Sequence, residues 1–404
     1  MPNRILMGFQ NTVDFELAWE PDILEELIRH HQIYDREIRA DIPISCERDI
    51  LLVLLSHMKA GSGCECGVSS SAITRAFASH FPYQITLGGT AVRAAIALSL
   101  LGTPSTIHAC SLNQHFRDLI PDAVKWVASV PDEGEDFHPH VIVQYPLHAR
   151  ICVNDIDICT HRPNRVIFAH DPPSTLLKID PSFAAGAENA RVFLAASYNT
   201  MSDVSLLKDR LQTTIDIVNE LPRDCVAVME DAYFASPEIR RVVTETLSPH
   251  LRIFSMNEDE LQDRIGRRIN ILDPDVVAGV LETVYQQIGT PILVVHSAYW
   301  ALAYGRNPGS VAAALKGGIL MASTRFRKGD VFNIGDYRDT EQLPDRQSGV
   351  AFAQKITAML GEGRVCCIPC KDLDSVEEPT TIGLGDAFVG GMLPGLMEIS
   401  CCCD

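Results

Sequence analysis

Positive charge is scarce in this sequence: 34 Lys and Arg stand against 52 Asp and Glu, leaving a formal net charge of −18. Nucleic-acid backbones and anionic membranes are bound through clustered Lys and Arg, so neither is an expected partner. A small anionic ligand stays open, because the local field of a site can oppose the net charge. No run of eighteen consecutive apolar residues occurs, which excludes a membrane-crossing helix. Internal repeats are absent, and so is the Gly-Lys-Ser/Thr ending of a P-loop. A secretory segment is also missing: Met1-Pro2-Asn3-Arg4 leads into a short apolar run that reads as a first strand, and a cytoplasmic location is expected. The 13 cysteines lack the paired C-x-x-C spacing of a structural zinc site. Cys64-x-Cys66 and Cys366-Cys367-x-x-Cys370 read as small buried hydrophobes, and Cys401-Cys402-Cys403 as an oxidisable tail.

What is present is a chain of 404 residues, 46% hydrophobic and 21% charged, long enough for one large domain with an elaboration or for two domains. Its most informative stretch is Thr380-Thr381-Ile382-Gly383-Leu384-Gly385-Asp386-Ala387-Phe388. Two glycines let backbone approach a ligand, and the apolar pattern from Ala387 predicts a helix beginning there. N–H groups at a helix N-terminus bind phosphate oxygens. A carboxylate at the same end can take the proton of a hydroxyl that attacks a phosphoryl group. The bland alternative, in which the glycines shape a loop and Asp386 only caps the helix, has equal weight on this stretch alone.

Arg4–Phe9 reads as a buried strand, and Asn11 and Asp14 just beyond it are candidate contacts for a polyhydroxyl substrate. Residues 16–59 read as helical, with stripes at Ile23, Leu24, Leu27, Ile28 and at Ile50, Leu51, Leu54, Leu55. A glycine loop from Gly61 to Gly67 follows and carries Glu65, whose carboxylate could accept hydrogen bonds from sugar hydroxyls. Tyr83–Ala91 is a strand-like run containing Gly88-Gly89, a second glycine turn before a small-residue helix. Short β-prone segments between Val141 and Phe168 suggest a small sheet acting as a lid. Within them Arg162 and Arg165 could grip substrate or phosphate, or serve as ordinary surface arginines. From Ala190 onward strands and helices alternate, the βαβ rhythm of a mostly parallel sheet with helices on both faces. Glu230, Asn257, Glu260 and His296 fall at or just after strand ends. Carboxylate and amide oxygens there suit Mg2+, while Asn257 and Glu260 also have the spacing of a capping box.

In their order and spacing these segments resemble the ADP-dependent sugar kinases, the glucokinase and phosphofructokinase family of the ribokinase-like fold. The resemblance implies an α/β fold with a large nucleotide-binding domain (1–14, 80–137 and 173–404) and a smaller sugar-binding lid (15–79 and 138–172). It implies ADP as phosphoryl donor with Mg2+, and a sugar as acceptor. Asp386 then looks like the catalytic base and Gly383, Leu384 and Gly385 like the anion hole. Asn257 and Glu260 match the family's N-x-x-E motif, Glu230 the glutamate of its H-x-E motif, and His296 a histidine near the nucleotide. Asn11, Asp14, Glu65, Gly88, Gly89 and Arg165 are the matching sugar-site positions. The sequence departs at Val228, which replaces the H-x-E histidine and leaves Glu230 without that neighbour. Glu65 tilts the acceptor toward a neutral hexose, glucose, because a carboxylate repels a sugar phosphate. Arg162, Arg165 or Arg191 would instead receive the phosphate of fructose 6-phosphate. Two rivals stand beside this reading: an ATP-dependent ribokinase-like sugar or nucleoside kinase, and a non-catalytic sugar or nucleotide sensor. Sequence sets no oligomeric state.

Overall fold

A computed structural model describes residues 4–377 and 379–399; the terminal Cys401-Cys402-Cys403 run lies outside them. The larger of its two main sheets has nine strands. Their order is Val365–Pro369, Trp300–Gly305, Ile292–His296, Ile253–Asn257, Val226–Glu230, Val192–Ala195, Ile5–Gly8, Ser105–His108, Val124–Val127. From Ile292–His296 to Val124–Val127 all neighbours are parallel, and Trp300–Gly305 runs against them. This is the mostly parallel α/β sheet expected from the sequence.

Central strands are covered on both faces, which is why stretches such as Ile292-Leu293-Val294-Val295 show no polar alternation. Alternate residues divide between two cores. Met7, Val192, Leu194, Val226, Val228 and Val294 join the core that includes the helices Thr90–Leu100, Ala312–Lys328 and Leu384–Leu396. Leu6, Phe193, Met229, Phe254 and Val295 join the core that includes Val204–Glu220, Pro237–Leu247 and Pro274–Ile288.

The second sheet has five strands in the order Cys64–Gly67, Asn164–Ala169, His140–Tyr145, Thr12–Leu17, Tyr83–Gly88. Val13, Phe15, Leu17, Val141, Val143, Val166 and Phe168 bury one of its faces, against the helices Glu47–Ala60 and Ser71–Ala78. The register then puts Asp14, Glu16, Glu65, His140, Gln144 and Arg165 on the opposite face. That polar face looks toward the large sheet, as the Thr381 hydroxyl shows by donating to Gln144 Oε1 at 3.1 Å.

Several expectations need correction. Residues 16–59 are not one helical region: Glu16 and Leu17 belong to the strand Thr12–Leu17, and the helices Pro21–His30 and Glu47–Ala60 are separated by chain that holds only the short 3-10 turn Asp35–Glu37. Their two apolar stripes are real but belong to separate elements. Glu65 lies in an edge strand, not a glycine loop, because Cys64–Gly67 pairs with Val166–Ala169. An antiparallel strand, Trp300–Gly305, comes before the helix expected from Ser310. Thr12–Leu17 runs across the expected boundary after residue 14, and Tyr83–Gly88, expected with the large sheet, is the edge of the small one.

Candidate active site

The helix Leu384–Leu396 is fixed by packing. Ala387, Phe388, Val389, Met392, Leu393 and Leu396 are buried, and each large side chain contributes roughly 1.5–3 kcal/mol. A side-chain N-cap would add only about 1 kcal/mol, and none is present. The N-cap is Gly383, in the left-handed region at φ 66°. Asp386 stands in the first turn and makes no capping bond, so the bland reading of this carboxylate loses its basis. A Cβ on Gly383 would lie 3.1 Å from Arg93 Cδ and Nη1 and 3.3 Å from Arg325 Nε. Two guanidinium groups therefore flank the glycine that opens the helix. Arg325 is held there by donating to the Ile382 carbonyl at 2.9 Å and pairing with Asp330 at 2.5 Å.

Arg93 also crosses to the lid sheet, pairing through Nη2 with Asp14 at 2.8 Å and Glu16 at 3.1 Å. Burial opposes its charge, but Asp14, Glu16 and Asp386 together raise its pKa. Gly88 allows this approach: a Cβ would run into the Thr12 hydroxyl and the Asp14 carboxylate, which themselves bond at 2.7 Å. Gly89, at φ 92°, is the N-cap of Thr90–Leu100, the helix that carries Arg93. Asn11 is committed locally. Its Oδ1 accepts from the N–H groups of Cys110 and Ser111 at 2.8 and 3.0 Å, and its Nδ2 donates to the Ser111 carbonyl at 2.8 Å.

Across the polar lid face, His140 Nε2 meets Asp171 Oδ2 at 2.9 Å, both side chains being buried. Burial works against the imidazolium, but the Asp171 hydrogen bond and charge, with Asp14 and Glu65, push His140 up to about 9. Glu65 reaches solvent by its accessible surface, yet enough protein surrounds it that burial raises its pKa. His140 opposes that rise, and Asp14 and Asp171 add to it. Arg165, likewise accessible, has its pKa lowered first by burial, with Asp386 and Glu65 pulling it back. These mutual influences bring Asp14, Glu65, Arg93, Arg165 and Asp386 into one electrostatic neighbourhood.

A second cluster lies at the ends of the parallel strands. His296 Nε2 meets Glu230 Oε1 at 2.9 Å, and the His296 ring stacks on Phe388 with centroids 4.2 Å apart. Its Cε1 would lie 3.8 Å from a Cβ on Gly385. Val228 is fully buried, and Glu230 is not left without a histidine: His296 supplies one from two strands away. Asn257 and Glu260 form the capping box, Asn257 Oδ1 accepting from the N–H groups of Asp259 and Glu260 at 2.8 and 2.9 Å while Glu260 Oε2 accepts from the Asn257 N–H at 2.9 Å. Burial, then Asp231 and Glu230, hold the Glu260 carboxyl well above its ordinary pKa.

Glu230 Oε2 and Asp231 Oδ1 are buried with no hydrogen-bond partner among the described residues. The other oxygens of these two carboxylates are taken by His296 and Arg264, and the unpartnered pair beside Glu260 fits a hard divalent cation. Among the described residues the three carboxylates do not close within 4.8 Å of one another, so they are not a ready-made direct ligand set. Reasoning from sequence missed Arg93, Arg325, Asp231, His140 and Asp171. Asp231 adjoins Glu230 and could have been found; Arg93, Arg325 and His140 stand in ordinary helix or strand context and Asp171 caps a short helix, so only the tertiary fold brings them in.

The mostly parallel nine-stranded sheet with helices on both faces, joined to a smaller sheet, is the architecture of the ribokinase-like fold. The model of the ADP-specific phosphofructokinase/glucokinase conserved region matches residues 3–393, and the chain belongs to that family. It is thus a phosphotransferase acting on a hydroxyl group. Among solved structures it is similar to a phosphofructokinase from Pyrococcus horikoshii OT3 with AMP, at 17% identity over 98% of this chain and 99% of that one, TM-score 0.74. It is also similar to a last common ancestor of ADP-dependent phosphofructokinases from Methanosarcinales, at 15% identity over 98% and 94%, TM-score 0.73. An ADP-dependent kinase complex with fructose-6-phosphate and ADPβS matches at 14% identity over 98% and 94%, TM-score 0.74. At these identities the likeness concerns the fold. No curated protein matches. No helix among the described residues is long and apolar enough to cross a membrane.

Proposed function

We propose that the protein transfers the terminal phosphoryl group of ADP to a hydroxyl of a hexose, with Asp386 as general base. The observation that carries this reading is Asp386 itself: a carboxylate in the first turn of a helix whose N-terminus no side chain caps, with Arg93 and Arg325 at the preceding Gly383. Backbone N–H groups of Gly383, Leu384 and Gly385 and the two guanidinium groups stabilise charge on the transferring phosphoryl. Asp386 accepts the hydroxyl proton as the oxygen attacks. Glu230, Asp231 and Glu260 would hold Mg2+, with Asn257 orienting Glu260 and His296 orienting Glu230. Magnesium, when bound, supplies charge neutralisation on the donor phosphates. Asp14, Glu65, Arg165 and His140 on the lid face accept from and donate to the sugar hydroxyls, and the lid excludes water.

Glucose, a neutral hexose, is the favoured acceptor. Arg93 and His140 are each already matched by carboxylates, and Glu65 adds negative charge to the same face. Fructose 6-phosphate is the second reading, favoured by Arg165, whose guanidinium has no ion-pair partner among the described residues, and by the related kinase crystallised with that sugar. The test is Asp386→Asn assayed with ADP and Mg2+ against glucose and fructose 6-phosphate. Turnover should fall by about 10²-fold or more while sugar and ADP still bind. Wild-type-like turnover removes Asp386 from the chemistry; turnover of the native protein with ATP alone removes ADP as donor.

A further inference from the structure

Cys64 and Cys66, read from the sequence as buried hydrophobes, pack against the core but are only half-buried. In the strand Cys64–Gly67 the two-residue repeat turns Cys64 and Cys66 to one face and Glu65 to the other, cleft-facing side. Their sulfurs lie 2.7 Å apart, and both cysteines are free and half-buried. The helix Glu47–Ala60 passes behind this strand and brings His57 to it. Ligand atoms of His57, Cys64 and Cys66 all lie within 4.8 Å of one another, the only such group of three His, Cys, Asp or Glu among the described residues. His57 Nδ1 is engaged by the Ser62 hydroxyl at 2.9 Å, which orients the ring and leaves Nε2 as the nitrogen open to a ligand. Tyr145 braces this corner by donating to the Ser62 carbonyl at 2.8 Å.

We propose that His57, Cys64 and Cys66 bind a thiophilic metal ion of the zinc class, with a fourth position left to water, on the outer side of the lid strand that carries Glu65. Two thiolates and an imidazole are soft and borderline donors, which select zinc-like ions over magnesium or calcium. With zinc–sulfur bonds of about 2.3 Å, tetrahedral ligation sets sulfurs about 3.8 Å apart. The present pair therefore has to open by about 1 Å, within the reach of a χ1 adjustment on an edge strand. The bound ion ties the edge strand to the helix Glu47–Ala60 and so fixes the backbone that presents Glu65 to the cleft. The site is separate from the carboxylates Glu230, Asp231 and Glu260, so its presence does not depend on the proposed kinase chemistry.

The test uses full-length protein, reduced and stripped of metal with a chelator, then titrated with Co2+ and back-titrated with Zn2+. Expected are thiolate-to-cobalt charge-transfer and tetrahedral ligand-field bands saturating at one equivalent and displaced by Zn2+. The bands should be lost in Cys64→Ser/Cys66→Ser and retained in Cys366→Ser/Cys367→Ser. His57→Ala, which leaves both thiols in place, should weaken Zn2+ affinity by at least ~10-fold and keeps the test decisive if the double serine variant misfolds. Absence of the bands in the native protein overturns the proposal. So does their survival in Cys64→Ser/Cys66→Ser, or an unchanged Zn2+ affinity in His57→Ala.

Discussion

Replacing Arg93 by Met tests how the lid sheet is joined to the helix that opens at Gly89. The Arg93 guanidinium is 6% exposed and pairs with Asp14 and Glu16, whose side chains are 6% and 15% exposed. Without it, Asp14 keeps the Thr12 hydroxyl at 2.7 Å and Glu16 the Thr86 hydroxyl at 2.7 Å, and neither carboxylate keeps a cation. Removing one partner of a buried ionic cluster costs about 3–5 kcal/mol, because the remaining charge stays desolvated. Against a total stability on the order of 5–15 kcal/mol, that is a large fraction. Urea unfolding followed by circular dichroism and tryptophan fluorescence should show it as a lower midpoint with similar slope. The diagnostic comparison is Arg93→Met with Asp14→Asn and Glu16→Gln added, which removes the orphaned charges and should recover at least half of the loss. Stability is the right readout, since Arg93 also flanks Gly383 and turnover would fall for a second reason. A single-variant cost below about 1 kcal/mol, or a triple variant no more stable than the single, would refute this reasoning.

Two further outcomes follow from the site. His140 has a folded-state pKa of about 9, above its ordinary value of 6.5, so folding favours its protonated form. The stabilisation is fully present below about pH 6.5 and is lost as pH rises through about 9, a total of roughly 3 kcal/mol. Unfolding midpoints across that range should decline in the native protein but not in His140→Gln; parallel declines would mean another group is responsible. Gly383→Ala forces a Cβ at φ 66° and sets it 3.1 Å from Arg93 Nη1. The backbone term costs about 1–2 kcal/mol. Turnover should drop by at least ~10-fold with little change in the KM for sugar, because the anion hole is displaced while the lid face is not. Native kcat in a folded Gly383→Ala would dissociate this glycine from the phosphoryl site.

The sheet was legible because its strands are buried on both faces and separated by amphipathic helices. Val192–Ala195, Val226–Glu230, Ile253–Asn257 and Ile292–His296 all coincide with apolar runs. Trp300–Gly305 was not legible. It continues the same apolar stretch after a short turn, and periodicity does not distinguish a return strand from a long buried run. Glu65 was misplaced in a loop because glycines at 61, 63 and 67 outweighed a four-residue edge strand. The glycine turn that opens the helix Leu384–Leu396 was readable, since glycine is conspicuous in a sequence. The cations were not readable. Arg93 lies in a helix of Ala, Val, Ile and Leu, and Arg325 near the end of another, where arginine is ordinary.

The chain passes between its two sheets four times: at residues 9–11, at Gly88-Gly89, between Val127 and His140, and between Ala169 and Pro172. The first, second and last of these carry part of the candidate site: Asn11 at the first, Gly88 and Gly89 at the second, Asp171 at the last. The Asn11 amide holds the first passage to the loop at Cys110-Ser111, and Asp171 holds the last to His140 of the lid sheet. Arg93, one turn beyond the second passage, reaches back to Asp14 and Glu16 just beyond the first. Polar groups collect there for a physical reason. One apolar core continues from the large sheet to the buried face of the small one, so charged groups are confined to the small sheet's other face, where they find partners across to the large sheet. Arg93 and Arg325 flank the N-terminus of Leu384–Leu396, Arg93 paired with Asp14 and Glu16 of the small sheet and Arg325 with Asp330, while His140 of the small sheet pairs with Asp171. Under the proposed function an anion at the helix N-terminus would meet Arg93 and Arg325, and a sugar would meet the mixed charge of the small sheet. Phosphoryl stabilisation and substrate discrimination would then share Arg93, through its place beside Gly383 and its pairs with Asp14 and Glu16.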